Sequence, residues 1–319
     1  MGPASLGAFN WQYHRKVQII DALSPVENRL ARGGWSIVPA AAPLSSLSKE
    51  TDVLRWQDTE TPLSIWQSDA GGQSSYSLRM SDELRVDILP GQQIIVRPRG
   101  DLPQFTIDHF LADQVLPRLL AHEGALVIHA GAVRVGDQAV LLMGQSGRGK
   151  STLTASFDQA GIPLIGDDAM IIVSDNDGPS VRPVYPSLRL LPDSIDALIP
   201  GAVTAGPIAH YSTKHRIDVA GDRDVDAPAL PIGALFSIGL AAAEIAIRPI
   251  AAATACMALV ANSFALDPSD MVQARGRLQA ASALVARVPA FEIEYPRDYS
   301  RLDEVRRAIL DQLAALDRE

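Results

Sequence analysis

Cysteine, basic charge and long apolar runs are the three things this sequence has little of, and each shortage excludes something. Cys256 is the single cysteine in 319 residues, so no disulfide can close within the chain and no cysteine-based metal site exists. One thiol fits a reducing compartment. Lys and Arg number 28 against 37 Asp and Glu, giving a net charge of −9 and a pI near 5.2. That balance argues against a nucleic-acid partner or an anionic membrane surface. The longest apolar runs, Ile232–Ala243 and Ile250–Ala261, are split by a segment carrying Glu244 and Arg248. Each falls short of the roughly 20 residues that span a bilayer. The N-terminal residues lack the basic flank and apolar run of a signal peptide. The expectation is a cytoplasmic protein with no membrane partner.

Tryptophan is also scarce, and its distribution is uneven. All four, Trp11, Trp35, Trp56 and Trp66, fall in the first 66 residues. Short β-like runs mark the whole front region as far as about Arg99: Trp35–Val38, Leu63–Gln67, Tyr76–Met80, Leu84–Leu89 and Gln92–Pro98. Asp69-Ala-Gly-Gly and Pro90-Gly91 punctuate them. No repeat period is visible. The length suggests about two domains. We read residues 1–104 as a β-rich N-terminal domain and residues 105–319 as a second domain of α/β or α+β class. With 47% apolar residues the chain can build a proper core.

The second region opens on a helical pattern, Ile107–His122, with Pro117 as an expected kink. Ala125–Val135 and Ala139–Met143 then read as a hairpin turning at Gly136-Asp137. Lys150–Ala160 reads as a helix stopped by Gly161. An apolar run, Ile162–Ile165, leads into Gly166-Asp167-Asp168, with Ala169–Val173 beyond it and a turn at Asp175-Asn-Asp-Gly178. Ala234–Leu240 reads as a buried strand and Ala251–Phe264 as a helix. The last segment, Ser300–Leu316, puts Leu302, Val305, Ile309, Leu313 and Leu316 on one helical face.

Between the hairpin and the first helix stands Gly144-Gln145-Ser146-Gly147-Arg148-Gly149-Lys150-Ser151, a complete P-loop pattern with a strand before it and a helix after it. Its glycines let successive backbone N–H groups turn inward into an anion-binding nest. The following helix aims its positive end at the same phosphates. Lys150 is expected to reach the β/γ-phosphates of ATP and the Ser151 hydroxyl to take a place on Mg²⁺. No LSGGQ-like signature and no Asn-Lys-x-Asp guanine reader accompanies the loop. What accompanies it is Asp167-Asp168, seventeen residues after Lys150. Two carboxylates beside a phosphate site can divide the work, one holding Mg²⁺ and one taking a proton from an attacking hydroxyl. Strand alternation would point them opposite ways, leaving one with a structural role. His129 lies on the first hairpin strand, fifteen residues before Gly144, amid apolar neighbours that suit a core histidine as well as a catalytic one.

Taken together, His129-Ala-Gly-Ala-Val133, the loop 144–151 and Leu164-Ile-Gly-Asp-Asp168 resemble the HPr kinase/phosphorylase family of serine kinases in order and approximate spacing, over about forty residues. The resemblance implies a P-loop kinase domain with the fold of the phosphoenolpyruvate carboxykinase nucleotide domain. It implies Asp167 as general base, Asp168 supporting metal or geometry, Lys150 and Ser151 on phosphate and Mg²⁺, and His129 near the transferred phosphoryl group. The family's Glu-x-Arg-Gly segment has as its nearest counterpart Tyr185-Pro-Ser-Leu-Arg-Leu-Leu-Pro-Asp193. Arg189 matches the arginine, while either Ser187 or Asp193 takes the carboxylate's place. Thr152 stands where the family has Glu, which withdraws support from a phosphorylase activity. Lys214 and Arg216 could neutralise γ-phosphate charge or belong to a solvated loop. The front domain and the Pro-Ser-Leu-Arg-Leu-Leu-Pro-Asp segment are more similar to stand-alone kinases that tailor ribosomal peptides, notably lasso-peptide precursors. The implied partner is therefore a serine-containing peptide or protein. HPr, free serine, a nucleotide-sensing role without turnover, and a homo-oligomeric state all stay open.

Overall fold

The computed structural model describes residues 34–38, 52–59, 61–70, 73–175, 177–185, 188–202, 204–217, 228–316 and 318. Trp11, Ser187, Asn176 and the Gly71-Gly72 pair lie outside them. The chain divides into two compact units, Met1–Leu116 with Leu266–Asp270, and Pro117–Ala265 with Met271–Glu319.

Six strands form the sheet of the first unit: β1 (Ser36–Val38), β2 (Val53–Gln57), β3 (Leu63–Ala70), β4 (Gln73–Met80), β5 (Leu84–Leu89) and β6 (Gln93–Pro98). Their order is β1-β6-β5-β4-β3-β2, antiparallel except for β1 with β6. Leu78, Met80, Leu84, Val86, Ile94 and Val96 are buried, and alternate positions on β4 and β5 carry Ser77, Arg79, Arg85 and Asp87, also buried. Arg79 pairs with Asp52, and Asp87 accepts from Arg85 (2.5 Å) and Arg97 (2.8 Å). A helix, α1 (Gln104–Phe110), and a π-helical turn, Leu111–Val115, follow. Pro117 has no N–H to give, and the segment just before it is the one wound wide.

The second unit runs α2 (Leu116–His122), β7 (Leu126–Ile128), β8 (Ala130–Val135), β9 (Gln138–Met143), α3 (Lys150–Gln159), β10 (Leu164–Gly166), β11 (Met170–Ser174), β12 (Pro179–Pro183), β13 (Leu188–Leu190), α4 (Pro192–Leu198), β14 (Thr204–Pro207), β15 (His215–Ile217), β16 (Leu230–Ala241), β17 (Ala246–Pro249), α5 (Ala252–Ala261), α6 (Met271–Val285), β18 (Ala290–Tyr295) and α7 (Leu302–Leu316). It is a mixed α/β arrangement. The main sheet has the order β10-β8-β9-β16-β12-β11-β7, with β18 joined to β16 and β17 to β18. β16 is the long strand of the unit. Its first residues pair antiparallel with β12, and the rest lies parallel between β9 and β18.

Both faces of β9 are apolar, as a strand covered on both sides requires. Ala139, Leu141 and Met143 pack with Ala255 and Leu259 of α5 and Ala281 and Leu284 of α6. Val140 and Leu142 pack with Leu153 and Phe157 of α3 and with Leu302, Val305 and Ile309 of α7. Each fully buried Phe or Leu contributes about 1.5–3 kcal/mol, so α3 is clamped behind the glycine-rich loop by its own apolar face. Gly161 (φ 80°) ends α3, with the N–H of Ile162 returning to Phe157 O at 3.0 Å.

One expectation needs correcting. The run Ala125–Val135 is not one strand but two, broken at His129. β7 pairs with β11, whereas β8 pairs with β9 and β10. The N–H of His129 leaves the ladder and donates to Asn262 O at 2.7 Å. The β8–β9 turn is the two-residue Gly136-Asp137 connection with Gly136 at φ 59°.

Candidate active site

β9 ends at Met143, and the glycine-rich loop turns three times through the left-handed region before α3 begins. Gly144 has φ 149°, Gly147 73° and Gly149 86°. At Gly144 a Cβ would stand 3.1 Å from Ile238 O, and at Gly149 3.2 Å from the Tyr295 hydroxyl, so φ demands glycine at both and the close backbone neighbour adds to it at Gly144. Gly149 occupies the N-cap position of α3 and no side chain caps the helix. The first N–H groups of α3 are thus left for an anion. Lys150 is buried, its ammonium donating to Gly144 O (2.7 Å) and Gln145 O (3.2 Å). Burial pushes its pKa down, opposed by Asp168 and Asp167. Gln145 and Ser146 are exposed on the rim, where Arg148 donates to Gln145 Oε1 at 3.1 Å.

β10 runs beside β8 and delivers Asp167 and Asp168 to the same end of the sheet. Asp167 has no exposed surface, and no hydrogen bond reaches either carboxylate oxygen. Burial is the main reason its pKa is pushed up to about 8, and the neighbouring Asp168 adds to it; the facing Ser151 hydroxyl, Lys214 and Lys150 pull the other way. Asp168 sits in the left-handed region (φ 72°), which turns its side chain away from its neighbour's course. Its Oδ2 lies 3.3 Å from Arg189 Nη2, and its backbone carbonyl is 2.8 Å from His129 Nδ1. The His129 ring is 35% exposed and packs edge-on against Phe264. Surrounding protein lowers its pKa, Lys150 and Lys214 lower it further, and Asp168 opposes them.

Arg189, on β13, is buried, and burial together with Arg216 lowers its pKa to about 9. Arg216 stands directly opposite it on β15. Like charges in that relation repel, and a charged guanidinium pair suits a place where an anion comes to rest. Lys214, just before β15, is near enough to bias Lys150, Asp167 and His129.

Lys150, Ser151, Asp167, Asp168, His129, Arg189, Arg216 and Lys214 are therefore gathered around one end of β8, β9 and β10. Thr152 and Asp193 are not part of that group. The Thr152 hydroxyl meets Ser194 Oγ at 3.2 Å. Asp193 lies exposed on the first turn of α4 and accepts from the Tyr299 hydroxyl at 2.9 Å. Two further contributors stand inside the motif segments, where the motifs alone assign them no role. Tyr185 is buried, accepts from Arg189 Nη2 at 2.5 Å, and has its pKa raised by burial and by both aspartates. Gly131 gives Thr154 and Asp167 their room, since a Cβ there would lie 2.3 Å from Thr154 Oγ1 and 3.4 Å from Asp167 Oδ1. Tyr185 stands four residues before Arg189 and Gly131 two after His129, so both lay inside segments already singled out.

The donor set fits a nucleotide phosphate and a divalent cation. A fully buried carboxyl facing the loop serine, with its pKa still raised despite Lys150 and Lys214, is the kind of group a bound cation relieves. Among the described residues no group of three or more His, Cys, Asp or Glu side chains is placed to hold a metal by itself, and no helix is long and apolar enough to cross a membrane. No protein-family model matches the chain. No curated protein matches it either. Among solved structures the chain is similar to the HPr(Ser) kinase/phosphatase from Coxiella burnetii at 14% identity, over 60% of this chain and 95% of that one, with a TM-score of 0.29, a likeness on which no functional argument rests.

Proposed function

We propose that the protein is an ATP- and Mg²⁺-dependent phosphotransferase that moves the γ-phosphoryl group to a serine hydroxyl of a peptide or protein, a lasso-peptide precursor being the acceptor the sequence resemblance favours. The observation that carries this reading is the unpartnered Asp167 carboxylate, buried opposite Ser151 at the mouth of a loop built to hold phosphates.

The geometry favours an exchange of the two aspartates' expected roles. Asp167 faces the Ser151 hydroxyl, and the two would hold Mg²⁺, whose charge supports the phosphates when bound. Asp168 retains some surface, and Arg189 and the His129 contact fix its position. It takes the hydroxyl proton as the serine oxygen forms its bond to phosphorus and the bond to the ADP oxygen breaks. Lys150, Lys214, Arg189 and Arg216 supply positive charge around the transferred group. Loop N–H groups from Gly144 to Ser151 hold the remaining phosphates.

The test is incubation with Mg²⁺, ATP and a panel of Ser-terminated peptides, HPr and free serine, read by mass spectrometry. One acceptor should gain a single phosphoryl group. Asp168→Asn should slow that gain by about 10²–10⁴-fold while nucleotide affinity stays within a few-fold. A variant as fast as the parent removes Asp168 from the chemistry. ATP binding with no acceptor modified, even in extract of the native organism, leaves a nucleotide sensor instead of a kinase.

A further inference from the structure

The carboxylates lie on the β8–β10 side of the glycine-rich loop. On the other side of β9 stand β16 and β18, and their ends present a second cluster that the chemistry above does not use. Tyr295, the last residue of β18, is buried, with its hydroxyl against Gly149. The Arg297 guanidinium lies 3.9 Å from the centre of the Tyr295 ring and donates to Gly239 O at 2.9 Å. Arg148, from the loop itself, reaches the same carbonyl at 3.4 Å. The next residue along β16, Leu240, is 62% exposed.

A guanidinium stacked on an aromatic ring is rigid, planar and weakly hydrated, and its outer face is suited to stacking on another flat π-system. Arg297 is exposed, so that outer face meets solvent. Leu240, next in sequence to the Gly239 that Arg297 binds, adds exposed apolar surface. Arg148 belongs to the glycine-rich loop, and Arg297 shares the Gly239 carbonyl with it. A nucleotide whose terminal phosphate faces Asp167 and Asp168 runs its other end away from them, and the ends of β16 and β18 form the opposite flank of the loop.

We propose that Arg297, backed by Tyr295, and Leu240 form the platform on which the nucleotide's purine base stacks, with Arg148 linking the platform to the loop. This rests on the loop being a nucleotide site. It makes Arg297 and Leu240 determinants of nucleoside recognition, separate from the phosphate cradle.

The experiment is titration calorimetry of the full chain with ATP and with inorganic tripolyphosphate, both with Mg²⁺. The parent protein should bind ATP about tenfold or more tighter than tripolyphosphate, the scale of one base stack. Arg297→Ala and, separately, Leu240→Ser should each weaken ATP several-fold to tenfold and leave tripolyphosphate unchanged. Leu240 is exposed, so its variant keeps the test usable if Arg297→Ala folds poorly. Equal losses for both ligands, or no loss for ATP, would overturn the platform. A parent that binds the two ligands equally overturns the platform while the phosphate site stands. A parent that binds neither overturns the phosphate site and the platform with it.

Discussion

In the six-stranded unit Arg79 and Arg85 are buried at 3% and 6% exposure with Asp52 and Asp87 set against them, whereas in the second unit Asp167 is buried completely with no salt bridge among the described residues, and Ser151, Lys214 and Lys150 only partly offset its burial. The first arrangement crosses three strands, Arg79 opposite Arg85 and Arg85 opposite Arg97, a row that would repel itself without the two carboxylates. Burial of charge is costly in both places. In the first the charges answer one another and the array is complete as it stands. In the second the answer is incomplete, and a bound cation would supply positive charge beside the carboxyl. Buried ionisable groups alone therefore do not mark a site; one whose burial outweighs its neighbours' compensation is the candidate.

That contrast can be pressed hardest at Asp167. Its folded pKa, about 8, lies above the ordinary 3.8, so the folded state holds a proton that the unfolded state has lost between those values. Stability should fall by about 1.4 kcal/mol per pH unit through that window and level off above it. Asp167→Asn should remove the slope and raise the denaturation midpoint at pH 8, as urea titrations at pH 5 and pH 8 would reveal; a parallel slope in the variant would mean that the carboxylate is compensated after all. Mg²⁺ with ATP should flatten the parent's profile in the same way.

The opposite outcome is expected at Asp87. Asp87→Ala strips two arginines of their shared partner and should destabilise the first unit by about 3–5 kcal/mol, measured by chemical denaturation. A loss below 1 kcal/mol would put the arginine row in the same class as the Asp167 site. The smallest effect is steric. Gly131→Ala pushes a methyl into Thr154, which donates to Lys150 O at 2.8 Å, and should cost about 1–3 kcal/mol with weakened nucleotide binding. An unchanged melting temperature would show that α3 can shift to make room.

How much of this was readable beforehand depends on the range of the interaction. The glycine-rich loop, α3 and its Gly161 stop are set by residues next to one another, and so is the face of α7 that buries Leu302, Val305 and Ile309. The break at His129 is not local. The apolar run through Ala125–Val135 is continuous in composition, and Asn262, far along the chain, supplies the acceptor that ends β7. Asp193 was open for the same reason, since Tyr299 engages it from 106 positions away. α6 carries only two fully buried residues, Ala281 and Leu284, among Gln, Arg, Gly and Ser, and so shows little periodicity. β18 does alternate, with Phe291, Ile293 and Tyr295 buried, a signal that goes unused when its partners on β16 stand some fifty residues earlier.

The length of β16 has a consequence for how the chain is made. β9, which carries the glycine-rich loop, finds one neighbour at once in β8 but must wait for the other, because Ala139 pairs with Ile232 about ninety residues later. At about 5–20 residues per second, a ribosome leaves that edge open for roughly 5–20 s. Contacts of such long range form slowly in any case. A nascent chain stopped short of Leu230 holds a phosphate loop with one wall, and its apolar strand edge is exposed to whatever else is in the cell. That edge stays open until β16 arrives to pair with it.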